Sequence, residues 1–132
     1  MAWAQGKTLG LYQAAFNRTP DQGGLINWIG QLDNGTAIVS VANAFINSAE
    51  FVKAYGNNLS NSALVNALYA NVLDRAPDAS GAAFWSAILE KSSSSTARAE
   101  VLVNFSESAE NISNVAALIA KGIPVGDYRL VA

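Results

Sequence analysis

The chain repeats itself, and that repeat limits what it can fold into more than any other feature of its 132 residues. The pattern Leu11-Tyr12-x-x-x-Phe16-x-Arg18-x-Pro20-Asp21-x-x-Gly24-x-x-x-Trp28-x-x-x-Leu32 returns 57 residues later. The second copy reads Leu68-Tyr69-x-x-x-Leu73-x-Arg75-x-Pro77-Asp78-x-x-Gly81-x-x-x-Trp85-x-x-x-Leu89. Eight of these 22 positions are identical, where ordinary composition gives about one or two. After a three-residue slip in the Ser92–Ser95 run the match resumes 60 residues apart. Thr36-Ala37, Val41, Phe45 and Ser48-Ala49-Glu50 answer Thr96-Ala97, Val101, Phe105 and Ser108-Ala109-Glu110, seven identities in 15 positions. An expectation drawn for one copy can therefore be checked against the other.

Both copies read as helices. Tyr12 and Phe16 are four apart, as are Gly24, Trp28 and Leu32, which sets each group on one helical face. Arg18 falls in the last turn of the first helix, where a cation complements free carbonyls; Pro20 stops that helix and Asp21 can cap the next. The second copy supports that choice of cap, because Ala76 cannot cap and Asp78 can. Gly24, in the first turn, allows close approach of another helix. Asn34-Gly35 reads as a C-cap, Thr36 as the opening of a third helix, and Ser48 as the cap of a short fourth that ends at Gly56. The prediction is an all-α fold with about eight short helices, at roughly 5–17, 21–34, 36–47, 48–55, 60–73, 78–91, 96–106 and 108–121. No segment alternates with period two, so no strand is expected. Residues 1–132 form one domain on this reading, with repeat one at about 9–56, repeat two at about 60–121 and an irregular tail at 122–132. The link at 56–60 is too short for a flexible spacer, so the copies are expected to pack together.

Composition narrows the class of function. Charged residues are 14%, against about 25% in an ordinary domain, and polarity comes instead from 13 Asn and 13 Ser with Thr and Gln. A net charge of −2 with no Lys/Arg cluster makes nucleic acid an unsuitable partner. Cys and His are absent, which excludes disulfides, thiol chemistry, zinc sites and Ser-His or Cys-His nucleophiles. A Cys-free chain suits passage through an oxidising compartment. No stretch is long enough to span a membrane. Met1-Ala2-Trp3-Ala4-Gln5 opens no apolar run of signal-peptide length, so an export signal is expected elsewhere. The tail from Ile123 to Ala132, with Asp127 before a mostly apolar end, is similar to the terminal signals of type I secretion substrates; packing of Tyr128, Leu130 and Val131 on the helices is the rival reading.

The motif Tyr-x3-[Phe/Leu]-x-Arg-x-Pro-Asp-x-x-Gly-x3-Trp, followed by Phe-x-x-Ser-x-Glu, resembles a bacterial repeat family, domain of unknown function 4214, over about residues 9–121. The resemblance implies a setting in surface-layer, calcium-repeat (RTX-type) and other secreted proteins, and a role in surface attachment, lattice building or glycan contact. It also implies a remote likeness to phycobilisome linker domains. The Gly-Gly-x-Gly-x-Asp calcium repeats that often accompany the family are missing from this chain.

The twice-occurring Arg-x-Pro-Asp-x-x-Gly corner is the first candidate site. Asp21 or Asp78, with Asn17 or Asp74 beside it, could hold a glycan or calcium. The preferred reading is structural: the Asp caps, the Arg closes the preceding helix, and calcium wants six to eight oxygens, of which the motif supplies few. Trp28 and Trp85 could stack on sugar rings, yet their helical spacing favours core packing. Trp3 lies outside the repeat and is the better contact residue if exposed. Glu50 and Glu110, with Asp21 and Asp78, offer the carboxylates of glycoside hydrolysis, but all four stand where helix starts favour negative charge. The expectation is no enzyme, no catalytic residue, no metal site and no cofactor, with calcium retained as an alternative ligand. The expected role is an extracellular, cell-surface module that self-associates or holds a surface glycan. A monomeric carbohydrate- or calcium-binding domain is the alternative. An intracellular helical linker comes third, because a linker to acidic partners calls for a more basic chain than one with pI about 4.9.

Overall fold

Asn17 and Asp74, 57 positions apart, share a left-handed backbone with φ of 53°. Asn and Asp are the non-glycine residues that tolerate this region best, so each copy turns its first corner there. Proline and a capping aspartate follow: the Asp21 carboxylate accepts from the Gly24 amide at 2.9 Å, and that of Asp78 from the Gly81 amide at 2.9 Å. Two helices thus meet at a fixed angle in each half of the chain.

The computed structural model describes residues 2–56, 59–91, 95–120, 124–125 and 128–129. The first copy supplies α1 (Ala2–Phe16), α2 (Gln22–Asp33), α3 (Ile38–Ile46) and α4 (Ala49–Tyr55). The second supplies α5 (Asn61–Leu73), α6 (Ala79–Lys91), α7 (Ser95–Ser106) and α8 (Ala109–Ala120). The first helix starts ahead of the predicted boundary and takes in Trp3. At its other end α2 closes in a Schellman turn, with the Gly35 amide donating to Leu32 and that of Thr36 to Gln31. Thr36 therefore finishes α2 instead of opening α3, which begins at Ile38 with Ala37 as an N-cap that forms no side-chain bond. Ser48, Ser60 and Ser108 cap α4, α5 and α8 through their hydroxyls.

The tail departs from the irregular, strand-free expectation. Two-residue strands β1 (Pro124–Val125) and β2 (Tyr128–Arg129) pair antiparallel, Pro124 opposite Arg129 and Val125 opposite Tyr128. The export-signal expectation involves residues 123, 126–127 and 130–132 as well, which lie outside the described residues.

Equivalent helices meet across the centre. α3 lies along α7 in the most extensive helix pairing, and α1 lies along α5. Val41, Ala42 and Phe45 of α3, Val101, Leu102 and Phe105 of α7, Leu9, Leu11 and Ala14 of α1, and Leu64, Val65 and Leu68 of α5 are all buried in one hydrophobic cluster. Each fully buried Leu or Val contributes about 1.5–3 kcal/mol, so the two copies share one core. Polar side chains satisfy the carbonyls that end α1 and α5. The Tyr55 hydroxyl donates to the Ala15 carbonyl at 2.5 Å, and Asn114 donates to the equivalent Val72 carbonyl at 3.0 Å.

The symmetry breaks where α1 also packs on α7 and α8. Asn111 is fully buried there and donates to the Gly10 carbonyl at 3.0 Å and the Ser106 carbonyl at 2.8 Å. A Cβ on Gly10 would come within 2.9 Å of the Ser106 oxygen, so this seam needs glycine. Lys7 and Glu107 bridge the same seam at 2.9 Å.

Candidate functional site

In each copy the motif residues assemble around a tyrosine. A Cβ on Gly24 would stand 2.6 Å from the Tyr12 hydroxyl and 2.7 Å from the Asp21 carboxylate. Gly81 is crowded in the same way by Tyr69 and Asp78. The glycine is thus required because a tyrosine tip sits on the first turn of the following helix. Arginine covers that tyrosine: the guanidinium carbon of Arg18 lies 5.0 Å from the Tyr12 ring centre and that of Arg75 lies 5.4 Å from the Tyr69 ring. Burial pushes the Tyr12 hydroxyl above the ordinary tyrosine range, opposed by a hydrogen bond with Trp28 and by the charge of Arg18.

From here the copies diverge. In the first, Arg18 lies past the end of α1 and not in its last turn as expected; it grips Glu50 with two bonds of 2.6 and 2.8 Å, which raises the guanidinium pKa. Phe16 stacks on Phe45 with centroids 5.7 Å apart and meets Tyr12 and Phe51 edgewise or tilted; Trp28 tilts onto Phe45 at 5.4 Å and Phe51 onto Tyr55 at 4.6 Å. Rings fill the space beneath the arginine.

In the second copy Leu73 stands for Phe16, Asn111 for Phe51 and Val115 for Tyr55. A cavity of about 240 Å³ occupies the corresponding place, lined among others by Tyr69, Arg75, Trp85, Asn104, Phe105 and Glu110. Among the described residues Arg75 reaches no carboxylate; it donates to the Ala76 carbonyl at 3.4 Å, and no ion pair forms between it and Glu110. Asn104, which replaces Ala44, adds an amide to the lining. Trp85 packs on Phe84 and Phe105, both at 5.0 Å, and forms part of the wall.

The other candidates fall elsewhere. Asn17 serves the left-handed corner and accepts from Gln13 at 2.8 Å, while Asp74 occupies the same corner of the second copy. Trp3 is exposed on α1 with Lys7 over its ring. Asp21 and Asp78 are engaged as caps. Among the described residues, no group of three or more carboxylates comes together. Sequence reasoning did not single out Asn104 and Phe105, and assigned Glu110 to a helix start. For Asn104 the readable signal is that it differs from its counterpart Ala44, whereas Phe105 and Glu110 match Phe45 and Glu50.

Fold and site define a duplicated all-α helical module whose motif residues mostly join helices. The chain belongs to the family described as domain of unknown function (DUF4214), whose model matches residues 9–40 and 42–115. No match was found among curated proteins or among solved structures. Among the described residues, no helix is long and apolar enough to cross a membrane.

Proposed function

We propose that this chain is a non-catalytic module of a bacterial surface, which attaches by holding a surface glycan. The observation that carries the reading is the difference between the two copies. The first commits its Asp, Arg and Glu to capping and pairing, whereas the second keeps the same Arg and Glu apart over an aromatic wall. Catalysis has little support, because Asp21 and Asp78 are consumed as caps and Glu50 is tied to Arg18. The test uses bacterial envelopes with their glycans intact or cleaved by periodate. Retention of the purified chain on intact envelopes and its release from oxidised ones is the expected result. Equal retention on both, or none on either, removes the glycan from the account.

Self-assembly is a second reading, favoured by one feature of α6. Asn27 and Gln31, a hydrogen-bonded pair on α2, are replaced by Phe84 and Ile88, which stand exposed at 58% and 37%. Light scattering with and without calcium separates the readings: large particles support assembly, and a monomer whose size responds to calcium supports an ion-binding domain.

A further inference from the structure

The cavity of the second copy has a chemistry of its own. We infer that it seats one neutral sugar ring, a hexopyranose at the exposed end of a glycan chain; this rests on the glycan reading above and assigns it a place. Three observations point there. The first is size. At about 240 Å³ the space lies below the roughly 300–1,000 Å³ of sites for drug-sized ligands, which suits a single ring with its hydroxyls.

The second is the character of the walls. Trp85, Tyr69 and Phe105 supply aromatic surface, against which the C–H face of a pyranose can lie. Arg75, Asn104 and Glu110 supply planar donors and acceptors of the kind that bind adjacent hydroxyls in pairs. One arginine and one glutamate leave the lining with no net charge, so a neutral polyhydroxylated ligand uncovers neither. The third is the contrast with the first copy. There the Phe16 ring stacks on Phe45 and Glu50 holds Arg18, so these groups are already engaged with one another. In the second copy the ring is gone, an amide has been added at Asn104, and the arginine and glutamate are still present without each other.

The experiment titrates the full chain with methyl α-glucopyranoside, methyl α-galactopyranoside and methyl α-mannopyranoside, followed by amide NMR. At least one glycoside is expected to shift the signals of residues 69, 85, 104, 105 and 110, and to leave residues 12, 28, 45 and 50 unmoved. Leu73→Phe restores the ring of the first copy and should weaken binding by about tenfold or more while keeping the fold; Glu110→Gln, which loses a charge-assisted bond, should do likewise. Glu50→Gln should bind as the wild type does. The inference is overturned if no glycoside shifts the cavity residues, if Leu73→Phe binds as well as the wild type, or if free glycine or alanine binds there and the sugars do not. Envelope retention separates this inference from the broader reading. Retention lost in Leu73→Phe supports the chain-end assignment, and retention unchanged in that variant overturns it. Sugar binding at the cavity with no envelope retention of the wild type supports the cavity and removes the surface role.

Discussion

Phe16, Phe51 and Tyr55 on one side answer to Leu73, Asn111 and Val115 on the other, and with these three exchanges the second half loses three of the aromatic rings of the first. What the halves share is the corner: tyrosine tip, left-handed residue, capping aspartate and glycine, with nearly matching geometry. The comparison separates two demands on one repeat. The corner keeps its left-handed residue, its cap and its crowded glycine in both copies, whereas the residues of the wall facing it differ. Asn111 shows how the exchange is absorbed. A phenylalanine there would face the seam with α1, and the amide that replaces it ties α1 to the end of α7.

The largest effect expected from this contrast is at the tryptophans. Trp28→Ala should cost about 3–5 kcal/mol in urea unfolding, because its ring packs within a filled cluster. Trp85→Ala should cost less, since a ring bordering a cavity already lacks partner atoms on one side. A greater loss at Trp85 would break the comparison.

The shared corner predicts equality. Gly24→Ala and Gly81→Ala should each cost about 1–3 kcal/mol, as a methyl group meets a tyrosine tip. Gly6→Ala and Gly30→Ala, where a Cβ meets nothing within 4 Å, should stabilise the helices by about 0.5–1 kcal/mol. Unequal losses at the two corner glycines would show that the corners are not interchangeable.

Filling the open wall comes next. Leu73→Phe should raise stability by about 0.5–2 kcal/mol as a cavity-filling change, and Phe16→Leu should lower it. A destabilised Leu73→Phe would mean that the space is not available to a ring.

The smallest effect is at the surface. Glu50→Gln should lose about 0.2–1 kcal/mol, the range for an exposed ion pair, with the loss shrinking in high salt. Glu110→Gln should leave stability within about 0.5 kcal/mol of wild type, because that carboxylate has no arginine to lose.

Much of the fold was legible because each signal occurred twice. Asp78 resolved which residue caps α2, and the order of eight helices followed from spacing alone. Thr36 was misread because a helix-closing turn and a helix-opening cap use the same residue types, and the tertiary setting decides between them. The short ladder at the tail carries too few residues for alternation to be visible. The site was harder for a different reason. Repeat identity marks Arg75, Asp78 and Trp85, whereas Leu73 and Asn104 are the changed residues of the cavity lining and carry no repeat signal. The exposed pair Phe84 and Ile88 likewise differs from Asn27 and Gln31.

The claim that one copy is closed and the other open can be measured without a ligand. Two single-tryptophan proteins, one retaining Trp28 and one Trp85, with the other tryptophans changed to Phe, are titrated with acrylamide while fluorescence is followed. The account predicts that Trp85 is quenched more steeply than Trp28, and that Leu73→Phe brings the Trp85 slope down toward that of Trp28. Equal slopes in the two proteins, or a Trp85 slope that Leu73→Phe leaves unchanged, would contradict it.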